Sequence, residues 1–425
     1  MVPMSAPDSS DSKPSGFGKA FRSLRNYNFR IWFLGGLVSN VGTWMQRIAQ
    51  DWLVLTVLTR HNASAMGVVV ALQFVPQLLC LPWTGQAADH LDRRKLLIAT
   101  QIAQGLLALG LGLITLAGMV TLWQVDVFAF LLGCVTAFDA TARQVFVNEL
   151  VGEAQLANAV ALNSTSFNAA RMIGPAVAGT LIAVIGTGWV FMLNAASFAA
   201  VLASLMLLRS GQLHPQIRSA HKAGSLAEGF RYVGRRADLM AVLVMVFVIG
   251  TFGLNFSIYI STMAVTAFHG NAGLYGLLTS SFAVGSVGGA LFSAHREGPG
   301  MASLGFSALG FGVGCALAAL APDPALFAAA LALTGFAALV FVTASTSFMQ
   351  LASAPGMRGR VMALRMAVAM GGTPLGALAV GIVADHFGPR WAMGVGAASG
   401  IVAVLVGLHY RSARRRIATE ESSSA

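Results

Sequence analysis

Apolar windows long enough to cross a hydrocarbon core recur along almost the whole chain, separated by short polar stretches. A crossing helix needs about 20 residues at a rise of about 1.5 Å each. The windows fall at 31–56, 65–86, 96–118, 122–143, 158–184, 187–208, 240–262, 273–294, 302–321, 325–348, 361–384 and 389–410. They predict twelve transmembrane helices. A membrane barrel would show strands of about ten residues that alternate apolar and polar, and runs such as 106–117 do not alternate. The expected class is therefore an all-α membrane protein.

The longest internal polar stretch, 210–238, divides the windows six and six. It predicts a tail over 1–28, a six-helix bundle over 29–209, a central loop over 210–238, a second bundle over 239–410 and a tail over 411–425. Within the loop, Leu226, Phe230 and Val233 stand at helical spacing, with Arg231, Arg235 and Arg236 on other faces. That pattern suits a short amphipathic helix lying on a membrane surface. The halves echo one another, Gly174-Pro175 then Trp189 in the first and Thr373-Pro374 then Trp391 in the second, so the bundles are expected to be pseudo-symmetric.

Composition agrees with this reading. Hydrophobic residues make up 56% of the chain and charged ones 10%, against roughly 25% in soluble domains. Basic residues gather on the side of the N-terminus: Lys13, Lys19, Arg22, Arg25 and Arg30, then Arg93, Arg94, Lys95 and Arg143, the central loop, Arg296, Arg358, Arg360, Arg365 and Arg411 onward. The other side has Arg60 and Arg390. The asymmetry predicts that both termini are cytoplasmic. It also explains the net charge of +11 through orientation and anionic lipid, so no nucleic-acid partner is expected. Residues 1–20 lack the hydrophobic region of a cleavable signal peptide. Cys80, Cys134 and Cys315 fall singly inside windows, which points to neither a disulfide framework nor a metal site. The chain is expected to work as a monomer in the bilayer.

Ionisable side chains at lipid depth are costly and should face a partner or a wet cavity. In the first window Asn40, Thr43, Arg47, Gln50 and Asp51 fall largely three or four apart, on one stripe. Arg47 and Asp51, at i and i+4, are placed to pair. Such a pair either stabilises the bundle or lines a cavity, with Asp51 taking a proton when Arg47 changes partner. A second stripe in the fifth window holds Ser164, Asn168 and Arg171, followed by Gly174, Pro175 and Gly179. Asp126 and Asp139 lie toward opposite ends of the fourth window. Asp126 is either solvated or a further proton carrier.

The loop after the second window reads Gly85-Gln86-Ala87-Ala88-Asp89-His90-Leu91-Asp92-Arg93-Arg94-Lys95. It resembles the signature between spans two and three of the major facilitator superfamily, with Ala87 and Asp92 departing from the commonest residues. Trp44-Met45-Gln46-Arg47, Phe138-Asp139-Ala140-Thr141-Ala142-Arg143 and Met357-Arg358-Gly359-Arg360 resemble its proton-driven efflux branch, which includes the enterobactin and macrolide exporters. Thr141 departs from the Pro common in that branch, and the fourth window lacks the Arg of many drug antiporters. The resemblance implies a conformational latch of Gly85, Asp89, Arg93, Arg94 and Asp139, with Asp89 approaching the start of the eleventh helix near Arg360 and Arg93 pairing with Asp139. It likewise marks Gly174-Pro175 and Gly179 as an antiporter-like kink.

These observations point to secondary active transport: export of a lipophilic or amphipathic small molecule such as a drug, macrolide or siderophore, driven by a proton gradient with no cofactor. No GxxxxGK[ST] loop is present for direct ATP hydrolysis. Proton-coupled uptake of a nutrient is the alternative within transport. A membrane enzyme is disfavoured by the scattered His residues, and a scaffold by charges held at lipid depth.

Overall fold

The structure is a computed structural model that describes residues 21–214, 226–295 and 300–423. Among them the chain is helical and no strand is present. The helices are α1 (Tyr27–Trp52), α2 (Ala63–Leu79), α3 (Leu81–His90), α4 (Arg93–Leu116), α5 (Leu122–Val151), α6 (Leu156–Ile185), α7 (Thr187–Met206) and α8 (Leu226–Gly234), then α9 (Ala237–Val248), α10 (Phe256–Thr262), α11 (Ala272–Ala294), α12 (Met301–Leu320), α13 (Pro324–Ala352), α14 (Arg358–Phe387) and α15 (Pro389–Ser423). Taking 237–267 as one, ten of the described helical segments are long and apolar enough to cross a membrane. The more polar α1 and the 17-residue α2 are not among them.

Helix starts follow local chemistry. Asn62, Asp92, Asn271 and Asp323 each accept a hydrogen bond from the backbone N–H two or three residues on, satisfying a donor the first turn leaves orphaned. At the C-terminal end of α7, Arg94 donates to the carbonyls of Leu205 and Met206 and to Ser210 Oγ, where a cation meets the negative helix end.

Several predicted windows differ in the structure. The second is broken at Cys80, because Pro82 has no N–H to donate and sits in the first turn of α3, where none is needed. The fourth runs on to Val151, and the last continues as helix to Ser423. The seventh is interrupted: a wide π-helical segment, Ile249–Gly253, gives way at Leu254 and Asn255 to α10. Such segments leave backbone groups to be satisfied otherwise, and Asn255 Nδ2 donates 2.7 Å to the Thr251 carbonyl. In α8, Val233 is buried, while Phe230 is exposed. Residues 1–20 of the expected tail and 215–225 of the central loop lie outside the described residues.

Helices before Met206 pack chiefly on one another, as do those after Ala237. Among the described residues two crossings chiefly join the sets, α2 on α14 and α6 on α11. Both depend on glycine. A Cβ at Gly276 would stand 2.3 Å from the Pro175 carbonyl, and one at Gly67 would stand 2.6 Å from that of Ala377. Small residues bring membrane helices into backbone contact, and here they bring the two sets together.

Candidate functional site

A cavity of about 380 Å³ opens where the two sets meet. Its walls come from α1 (Trp44, Arg47, Asp51), α2 (Gln73, Phe74), α6 (Arg171), the interruption before α10 (Leu254, Asn255), α10 (Phe256), α11 (Tyr275, Thr279, Phe282), α13 and α14. Most of the lining is apolar or aromatic. Phe256 and Phe282 stack with centroids 4.0 Å apart, and Trp44 meets Phe167 edge-on at 5.7 Å. Of the lining residues, Asp51 is the one acid, and Arg47 and Arg171 are the two cations.

Asp51 does not pair with Arg47. Its Oδ2 accepts a hydrogen bond of 2.8 Å from the Tyr275 hydroxyl, which belongs to the other set of helices. Arg47 turns onto the Trp44 ring, 5.1 Å from its centroid, an arrangement that favours a guanidinium over an aromatic face. The i, i+4 spacing made the pair possible, but a partner across the cavity takes the acid. The Arg171 Nε is buried without a hydrogen-bond partner. Asn40, Thr43, Gln50, Ser164 and Asn168 do not line this cavity. Gln50 is buried with an unpartnered Nε2, Asn168 donates to the Ser164 carbonyl, and Asp126 has a buried unpartnered Oδ1 near the start of α5.

The expected latch is arranged differently. Arg93 pairs with Glu149 rather than Asp139. Asp139 instead joins α4 to α5, accepting from Thr100 Oγ1 at 2.9 Å, Gln101 Nε2 at 2.7 Å and Arg143 Nε at 3.2 Å. Its oxygens are thus occupied by neighbours on its own and the adjacent helix. Asp89 falls in α3, and its side chain lies outside the described residues. Arg360 meets Glu228 of α8 at 3.5 Å. Gly85 has no atom within 4 Å of where a Cβ would stand. Helix α6 stays continuous through Pro175, and Gly174 and Gly179 serve close approach, to Trp44 and to Ala272 respectively.

Hydrogen bonds tie the sets along the half of the helices farther from the N-terminus. Asp385, at the C-terminal end of α14, accepts from the N–H groups of Ala63 at 2.7 Å and Ser64 at 2.8 Å, where α2 begins. Deeper in, Ser261 donates to Met66 Sδ and Ser280 to the Met172 carbonyl. Sequence reasoning missed Tyr275, Asn255 and Asp385, because the search at lipid depth followed charges. Gly250, Gly253 and Asn255 inside an apolar window were the available signal for the interruption.

Relatives share this architecture. Over 263 residues the chain is 26% identical to the staphyloferrin A transporter of Staphylococcus aureus, covering 61% of this chain and 64% of that one, less than two thirds of its length. It is 26% identical over 383 residues to the enterobactin exporter EntS of Citrobacter koseri (89% and 90% covered). It is 25% identical over 367 residues to the multidrug efflux pump Tap of Mycolicibacterium fortuitum (83% and 88%). Among solved structures, the nucleoside transporter NupG (D323A mutant) superposes with a TM-score of 0.71 at 12% identity, covering 90% of this chain and 99% of that one. A bacterial homologue of the lysosomal transporter Spinster, inward-facing and occupied, also reaches 0.71 at 14% identity, with 91% and 97% covered. The family model described as transmembrane secretion effector matches residues 18–425. With an all-helical fold among the described residues and a cavity where the two sets meet, the chain belongs to that family of major facilitator superfamily transporters, multi-pass proteins of the cell membrane.

Proposed function

We propose that the protein exports an amphipathic small molecule from the cytoplasm in exchange for protons, by alternating access. In this reading twelve spans form two six-helix bundles over 29–209 and 239–410, with both termini cytoplasmic, as the distribution of Lys and Arg supports. The face bearing Asp385 and the start of α2 is then the outer one, and the described state is closed on that side. The export and drug-efflux activities named for EntS and Tap support the direction.

The observation that carries the proposal is the Tyr275–Asp51 hydrogen bond. In this reading the one acid of the cavity sits on a contact that lasts only while the bundles are closed at the outer face. When they part, Asp51 loses Tyr275 and meets outside water, from which it takes a proton; re-closure carries that proton inward. Substrate binding and proton release thereby depend on the same rearrangement.

The test is dye accumulation by everted vesicles under an imposed pH gradient, which the parent should support. Asp51→Asn should bind the dye but lose the response to the gradient, since the amide keeps the shape and cannot exchange a proton. Unchanged pH dependence in Asp51→Asn would place the coupling elsewhere, with Asp126 the next carboxylate to replace.

A further inference from the structure

We infer that the molecule taken by this cavity carries an anionic group, a carboxylate or phosphate, which binds between Arg47 and Arg171. The inference rests on the export reading and adds to it the charge of the cargo.

The argument begins with what each guanidinium touches. Elsewhere among the described residues, arginines set into the helical body have oxygen acceptors: Arg143 has Asp139, Arg93 has Glu149, and Arg365 has the Val342 carbonyl at 3.0 Å and Ser345 Oγ at 2.9 Å. The two in the cavity do not. Arg47 rests on Trp44 with no ion pair, and Arg171 has neither an ion pair nor an oxygen acceptor, whereas Arg365, whose Nε is likewise unpartnered, keeps two acceptors through its Nη2. A cation withdrawn from water without a counter-ion is costly, and a natural site keeps one where something else supplies the charge.

The protein's own acid offsets only part of that charge. Asp51 takes its hydrogen bond from Tyr275 rather than from either guanidinium, and its single charge stands against two cations, leaving the site net positive. Two neutral donors of the wall are already engaged, Thr279 Oγ1 on the Tyr275 carbonyl at 2.9 Å and Asn255 Nδ2 on that of Thr251. Two planar guanidinium forks match the paired oxygens of a carboxylate or phosphate. Around them the aromatic wall of Trp44, Phe256 and Phe282 suits an apolar body. An amphipathic anion meets both demands, with its charged end toward α1 and α6 and its body toward α11.

The experiment uses the full chain purified into nanodiscs of phosphatidylcholine, with dansylglycine as the anionic probe and dansylglycinamide as its uncharged counterpart, both read by dansyl fluorescence. Dansylglycine should bind at least about tenfold more tightly, the smallest effect expected of a charge-assisted contact. Arg47→Gln and Arg171→Gln should each erode that preference, lowering dansylglycine affinity by more than dansylglycinamide affinity, and Arg47→Lys should restore part of it. Equal affinity of the two probes for the parent overturns the inference, as does a preference that survives both Gln variants. If phosphatidylglycerol in the nanodisc displaces dansylglycine while equal surface charge from an anionic amphiphile without a phosphodiester headgroup does not, the anion site belongs to a lipid headgroup, and the assignment to cargo fails. The measurement needs no gradient. Loss of gradient-driven dye transport with the charge preference intact would count against export alone, and equal affinity with transport intact against this inference alone.

Discussion

Asp385 provides the most direct test of the proposed transport cycle, because its contacts join the two sets of helices at the face the proposal makes the outer one and lie outside the cavity. Its carboxylate accepts from two backbone N–H groups at the first turn of α2, at 2.7 and 2.8 Å, and from the Ser64 hydroxyl. Hydrogen bonds to a charged acceptor contribute about 1.5–3 kcal/mol when shielded. A carboxylate at a helix N-terminus adds about 0.3–1 kcal/mol. Asp385 is exposed, so the lower part of that range applies, about 1.5–2 kcal/mol for the whole contact. All of it favours closure at this face, because Ala63 and Asp385 separate when the bundles part. Asp385→Ala should therefore raise the ratio of outward-open to outward-closed protein by about 10- to 30-fold, at about 1.4 kcal/mol per factor of ten.

The assay is the distance distribution between spin labels at Val57 and Phe387, exposed positions on opposite bundles near that face, in a background with Cys80, Cys134 and Cys315 replaced. The parent should give one short distance and Asp385→Ala a second, longer population. Ser64→Ala keeps both backbone donors and should give a smaller shift. Superimposable distributions for the parent and Asp385→Ala would refute the latch.

Two further outcomes concern the packing that the cycle depends on. Gly276→Leu places a side chain against the Pro175 carbonyl, where even a Cβ stands at 2.3 Å, and should lower stability by about 1–3 kcal/mol, while Gly305→Leu, with open space around it, should not; equal unfolding midpoints by tryptophan fluorescence would show that the α6–α11 crossing tolerates bulk. Asp139→Ala strands the Gln101 amide and the Arg143 guanidinium and should cost about 2–4 kcal/mol, whereas Glu228→Ala, which breaks a partly exposed pair, should cost under about 0.5 kcal/mol; similar midpoints for the two variants would deny Asp139 its structural role.

The helices were legible in the sequence because each apolar window reports its own burial in lipid, one segment at a time. The stripe of α1 was legible for the same reason: Arg47 and Asp51 stand out where charges are rare. Partners were not. Helical spacing names neighbours on one helix, so it offered Arg47 to Asp51, and the structure supplies Tyr275 from 224 residues away. Arg93 shows the same limit in another form. The apolar pattern ends near Arg143, so Glu149 counted as loop, yet the helix runs two turns farther and carries Glu149 to Arg93. The contacts between bundles, Asp385 with the start of α2 and Tyr275 with Asp51, leave no periodic trace, because they join residues 322 and 224 positions apart on different helices. A residue that must bind and release a distant partner is selected for the difference between two states, and local pattern records only what both have in common. On the alternating-access proposal, Tyr275 and Asp385, whose partners lie on the other set of helices, are where that difference is stored.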